Sequence, residues 1–109
     1  MNNALDPVLR PLDRLRICAA LKAAGATEGG DAADREMSSA TLRDVIDVSD
    51  AALSEQLGVL ESHGYVARDR IYGFSRAKNT VWVRLTAVGD AALAGHLTAL
   101  RHIANRAEN

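Results

Sequence analysis

The chain has 109 residues, 48% of them hydrophobic and 25% charged, with a formal net charge of −1. That length suits one domain with a modest core, and with one Trp, two Tyr and one Phe the packing must be mainly aliphatic. A charge near zero excludes a uniformly basic nucleic-acid binder, the lone Cys18 excludes an internal disulfide and suits a reducing cytoplasm, and no run of about 20 apolar residues is present to span a membrane. The N-terminus also lacks the charged-then-apolar pattern of a signal peptide.

In chain order, Asp6-Pro7 is a helix-start pair, but Pro11 follows so soon that Pro7 to Pro11 holds at most one short turn. Leu12 to Ala24 reads as the first full helix. Leu15, Ile17, Cys18, Leu21 and Ala24 form its broad apolar face, and Gly25 ends it. Cys18 on that face reads as a buried structural thiol. Ala26 to Glu36 reads as a flexible, solvated loop whose Glu28, Asp31, Asp34 and Glu36 face only Arg35. Ser38 and Ser39 can each cap a short second helix through Ile46, with Leu42, Val45 and Ile46 turned inward. Asp47 and Val48 form a tight link to the next element.

Ser49 is a good N-cap, and Asp50 then places a carboxylate at the positive end of the helix dipole. Leu53, Leu57 and Leu60 follow at i, i+4 and i+7, one apolar stripe. Gly64 stops this helix, because the residue after a helix often needs a positive φ. The opposite face holds Ala51, Ser54, Glu55, Gly58 and Ser62, all small or polar. Small residues let a helix backbone approach another surface closely, which suits a DNA major groove and equally an ordinary surface helix. Two short helices joined by about three residues form a helix-turn-helix, with the second as reader.

Tyr65 to Tyr72 and Val81 to Leu85 are β-rich, and Val81, Val83 and Leu85 alternate with Trp82 and Arg84. They predict a hairpin whose tip carries Arg76 and Lys78, with Asn79 and Thr80 adding hydrogen-bond donors suited to phosphates or groove edges. From Arg68 to Arg84 there are five bases (Arg68, Arg70, Arg76, Lys78, Arg84) against Asp69 alone. Thr86 caps the last helix, from Ala87 towards Asn105. Leu93, Leu97, Leu100 and Ile103 form a stripe that outruns the needs of a small core and is expected to pack against a second copy of the chain. His96 and His102, on different faces of this helix, read as solvent-facing or interface residues and not as metal ligands.

This order of elements resembles a winged helix. In detail it resembles the small stand-alone winged-helix transcriptional regulators related to the MarR and ArsR families, over nearly the whole chain. The anchors are Leu5-Asp6-Pro7 with Arg14-Leu15-Arg16-Ile17; Ala40-Thr41-Leu42-Arg43-Asp44; Val48-Ser49-Asp50 with Leu53-Ser54; Leu57, Leu60-Glu61 and Gly64-Tyr65-Val66; and Leu85-Thr86, Gly89 and Ala92-Leu93. The resemblance implies that Ser49, Ala51, Ser54 and Glu55 lie nearest the bases and that Arg43 approaches a phosphate. It places Arg76 and Lys78 on the adjacent minor groove or backbone, and it implies a homodimer reading an inverted-repeat site. The sequence departs from that pattern at Glu55, Gly58 and Val59, where relatives often carry lysine. The helix-turn-helix also carries five acids (Asp44, Asp47, Asp50, Glu55, Glu61) against Arg43 alone, and the loop before the second helix is longer than usual.

The expected fold is therefore mainly α with a small β-hairpin (α+β). It is a single winged helix-turn-helix domain over 1–109, with the helix-turn-helix at about 39–63, the wing at about 65–85 and a dimerisation helix at about 87–105. The expected function is a dimeric, cytoplasmic regulator that binds double-stranded DNA. No catalytic set, phosphate-cradling loop or metal cluster appears at usable spacing, so no enzyme activity, cofactor or metal is expected. A small-molecule effector between the terminal helix and the dimer mate is compatible with this reading. The alternative is a winged-helix protein-interaction module whose acidic reading helix meets a basic partner.

Overall fold

The computed structural model describes residues 4–28, 36–71 and 80–107. The elements run α1 (Leu12–Ala23), β1 (Met37–Ser38), α2 (Ser39–Ile46), α3 (Asp50–Ser62), β2 (Val66–Ile71), β3 (Thr80–Leu85) and α4 (Ala87–Ala107). The strands form one antiparallel sheet in the order β1-β3-β2. This is the expected winged helix-turn-helix, with a third strand that the hairpin reading omitted. At two residues, β1 is too short to show an alternating pattern.

The N-terminal turn forms as expected. The Asp6 carboxylate accepts from the Val8 amide at 2.9 Å, and the Leu9 amide closes on the Asp6 carbonyl at 3.0 Å. Leu9 is thereby driven fully into the core. Helix α1 buries Ile17, Cys18 and Leu21, while Ala24 is exposed just past its end. Gly25 takes φ +75° there, and the Ala26 amide returns to the Leu21 carbonyl at 2.9 Å.

The stretch read as a loop is tied down at both ends. Ala26 is buried, and Leu85 exchanges backbone hydrogen bonds with Ala26 (2.8 Å) and Glu28 (3.0 Å). Met37 then pairs with Val83. The acidic run of this stretch includes Asp31 and Asp34, which lie outside the described residues.

Ser38, not Ser39, caps α2, accepting from the Thr41 amide at 3.2 Å. Leu42 and Ile46 point inward, but Val45 is 56% exposed, contrary to expectation. A helix of eight residues presents only about two turns to the core, and the Leu42–Ile46 pair at i, i+4 fills that face. Helix α3 buries Leu53, Leu57 and Leu60 as the stripe requires. Its exit uses Gly64 at φ +77°.

In β2–β3, Val66 pairs with Leu85 and Arg68 with Val83. Val66, Val83 and Leu85 therefore share the inner face and are buried against α1 and α3. Helix α4 begins at a tight junction. Thr86 Oγ1 donates towards the Gly64 carbonyl (2.6 Å) and accepts from the Gly89 amide (2.9 Å). Gly89 is required there, because a Cβ would collide with the Tyr65 carbonyl.

Two readings of α4 are corrected. Leu93, expected at a dimer seam, is 2% exposed and belongs to the chain's own core. His96, expected at the surface, is buried, and its Nδ1 accepts the Asp6 amide at 2.9 Å. Both follow from the way α4 crosses the N-terminal segment and α1, which no periodicity along α4 alone could reveal. The outward part of the stripe is Leu97 (37%), Leu100 (36%) and Ile103 (50%).

Candidate nucleic-acid interface

Helix α1 braces the helix-turn-helix from behind. Arg16 Nη2 donates to the Ile46 carbonyl at 2.7 Å, satisfying the C-terminal end of α2. Arg14 Nε donates to Gln56 on α3 at 2.8 Å. Between the two helices Asp47 adopts the left-handed conformation (φ 56°), which aspartate tolerates better than most residues. Ser49 then caps α3, its Oγ accepting from the Ala52 amide at 3.1 Å. Its hydroxyl oxygen is thus engaged in folding while the residue stays exposed.

With the leucines inward, Ala51, Ser54, Glu55 and Ser62 are exposed and Gly58 is half-exposed. The predicted reading residues are thus all exposed, Ser49 at the N-cap of α3 and Ala51, Ser54 and Glu55 on the helix itself. Thr80 opens β3, paired with Ile71. Arg76, Lys78 and Asn79 lie outside the described residues.

The charged groups around α3 are paired with one another. Arg43 Nη1 bonds Asp50 at 2.7 Å, and its Nε and Nη2 both reach Asp44 at 3.2 Å. The bond to Asp50 first, then that to Asp44, makes this guanidinium hold its proton more tightly than usual. Arg68 lies across Gly58 and bonds Glu61 at 2.7 Å. Arg84 gathers three carboxylates, Glu28 at 3.2 Å, Glu36 at 3.1 Å and Asp69 at 2.7 Å.

Burial first, then the hydrogen bond with Asp69, raises Glu36 above the ordinary carboxylate range. Asp69 is lowered, by its hydrogen bonds with Glu36 and then with Arg84. The basic count along the wing is thus not a free positive surface, because Arg68 and Arg84 are committed to acids on other elements. Sequence reasoning missed these pairs. The one local clue was Glu61 and Arg68 flanking the Gly64 turn.

Two open cavities adjoin these elements. One of about 220 Å³ lies between the start of α3 and the sheet, lined by Ser39, Asp50, Leu53, Ser54, Leu57 and Arg68 among others. A larger one of about 570 Å³ lies along α4, where Lys22, Asp90, Leu97 and Arg101 contribute. No helix among the described residues is long and apolar enough to cross a membrane.

A helix-turn-helix followed by a two-stranded wing, with a long helix closing the domain, defines the winged-helix class. Residues 32–104 match the winged helix DNA-binding domain family, and the chain belongs to that family. Solved structures share the fold. A transcriptional regulator homologue from Pyrococcus horikoshii superposes with a TM-score of 0.75 at 20% identity, covering 94% of this chain and 89% of that one. The YusO protein from Bacillus subtilis follows at 0.67 and 18%, covering 95% and 61%. A cysteine-to-serine mutant of MarR from E. coli, complexed with operator DNA, gives 0.58 and 21%, covering 84% and 57%. No curated protein matches the chain.

Proposed function

We propose that this protein is a homodimeric transcriptional regulator that binds double-stranded DNA, with α3 in the major groove and the wing on the backbone or minor groove. The observation that carries this reading is the exposed side of α3. Ala51, Ser54 and Gly58 keep it low enough for close approach, while Leu53, Leu57 and Leu60 anchor it rigidly from behind. Because Arg43, Arg68 and Arg84 are internally paired, Arg76 and Lys78 of the wing supply the main phosphate attraction, with Asn79 and Thr80 beside them. Arg43 joins only by exchanging Asp50 for a phosphate. Leu97, Leu100 and Ile103 pack against the same residues of a second copy. An effector bound in the larger cavity would touch Leu97 at the edge of that seam.

The test is a salt titration of DNA binding. The slope of log affinity against log salt falls by about 0.9 for each phosphate that the protein ceases to neutralise, so Arg76→Ala with Lys78→Ala should flatten it by roughly 1 to 2 units per protomer. A wild-type slope in the double variant refutes the wing as phosphate clamp. One observation favours a protein-interaction module instead. Helix α3 carries three acids and no base, and Arg43 and Arg68, which flank its outward side, are neutralised within the chain. Absence of salt-dependent binding to any sequence in a large random pool would make that second reading the better one.

A further inference from the structure

We propose that Glu55 is the specificity-determining residue of α3 and that it selects a cytosine in the major groove. This rests on the DNA-binding reading above. Of the three carboxylates on α3, Asp50 is bound by Arg43 at 2.7 Å and Glu61 by Arg68 at 2.7 Å. Glu55 alone has no partner among the described residues, and it is exposed. It lies two residues beyond Leu53, which on a 3.6-residue repeat puts it on the side of α3 opposite the buried leucines. Its neighbours there are mostly small: Ala51 one turn before, Ser54 beside it and Gly58 and Ser62 at the following turns, with Val59 the largest. In a groove, the glutamate is the one long side chain of that side.

An unpaired carboxylate at that place has two consequences. It repels the phosphates of any duplex, so it weakens binding to all sequences alike. It also only accepts hydrogen bonds. In the major groove, guanine shows N7 and O6 acceptors and thymine shows O4, all of which repel a carboxylate. Adenine offers the N6 amino group, but with the N7 acceptor beside it. Cytosine offers the N4 amino group with no acceptor of its own alongside. A G·C pair in one orientation is therefore the pair that best repays the glutamate. The residue lowers affinity in general and restores it at the correct base, which widens the ratio of specific to non-specific binding.

The experiment selects bound sequences from a random duplex pool with the wild-type chain, Glu55→Gln and Glu55→Ala, followed by titration of each on its own consensus and on unrelated DNA. The wild type should enrich one oriented G·C pair at a fixed place in each half-site. Glu55→Gln should change that place to A·T, because an amide donates to adenine N7 as well as accepting from N6. Glu55→Ala should lose discrimination there by about 5- to 150-fold while binding unrelated DNA more tightly than the wild type. Both variants change an exposed side chain, and matching thermal melts verify folding. A wild-type motif left unchanged by both variants overturns the role of Glu55 while leaving DNA reading intact. A wild type that enriches no motif overturns the DNA reading itself, and this inference with it.

Discussion

The same substitution at two helical glycines should act with opposite sign. In an open helix, Gly→Ala stabilises by about 1 kcal/mol, because alanine loses less backbone freedom. At Gly58 an added Cβ would sit 3.9 Å from Arg68 Nη2, an ordinary van der Waals separation. Gly58→Ala should therefore raise stability by most of that amount. At Gly89 the Cβ would meet the Tyr65 carbonyl and stand 2.9 Å from Leu85 Cδ1. The obstacle is backbone, so α4 itself has to move. Overpacking of this kind costs about 1–3 kcal/mol. The shift also strains the Thr86 cap, which accepts from the Gly89 amide at 2.9 Å and whose removal costs about 1 kcal/mol. Set against the helix gain of about 1 kcal/mol, the net loss is about 1–3 kcal/mol, or a fall in Tm of roughly 5–20 °C for a domain of this size. Urea unfolding followed by circular dichroism, at one fixed protein concentration because association would shift the midpoint, reads both variants. A Gly89→Ala protein as stable as the wild type would refute the close-packed junction. A Gly58→Ala protein as damaged as Gly89→Ala would refute the reasoning from local space.

Three further outcomes follow from the interior and from α4. Burial first, and then the Asp6 charge, pushes the Cys18 thiol up to about 12, so the folded protein should resist iodoacetamide at mildly alkaline pH; intact-mass labelling faster than unfolding would contradict this. The hydrogen bond to Asp6 (2.7 Å), then burial, pushes the Tyr65 hydroxyl up to about 12. Its folded value is the higher one, so the contribution is fully present below the ordinary value of about 10 and is lost as pH rises towards 12. In a near-ultraviolet absorbance titration, Asp6→Asn should bring the Tyr65 transition down, and an unmoved transition would deny the bond its role. Leu97→Asp should turn a dimer into a monomer in sedimentation, because an unpaired buried charge is strongly unfavourable; a wild-type monomer at micromolar concentration would remove the seam.

Much of the fold was legible because its signals are local. Ser49, the i, i+4, i+7 leucines and Gly64 specify α3 without outside help, and the structure realises all three. The alternation of Val81, Val83 and Leu85 likewise places the inner side of β3. What escaped was whatever depends on a remote partner. Val45 looked like a core residue until the short α2 filled its inward side with Leu42 and Ile46. Leu93 looked like part of an outward surface until it joined the chain's own core, and His96 until the N-terminal segment bonded it. Met37 and Ser38 became a strand only because β3 lay beside them. A pattern shows that a side is apolar, but not which element covers it.

The site posed the same difficulty in its electrostatics. Read along the chain, Arg68 to Arg84 is a basic stretch and Glu28 to Glu36 an acidic one, which suggests two separate surfaces. The fold brings their described ends together. Arg84 reaches Glu28 and Glu36 from 56 and 48 residues away, and Glu28 uses its other oxygen to cap the Ala87 amide at 3.1 Å. These contacts neutralise Arg84 at the root of the wing and hold β3 to the chain before β1 and to the start of α4. Half-buried ion pairs near the surface contribute only modest stability each, but they decide where charge is left over. Of the three carboxylates on α3, Glu55 is the one left without a partner among the described residues. The DNA-binding proposal accordingly assigns affinity to the wing and the choice of sequence to α3, a division that salt dependence and base preference can measure separately.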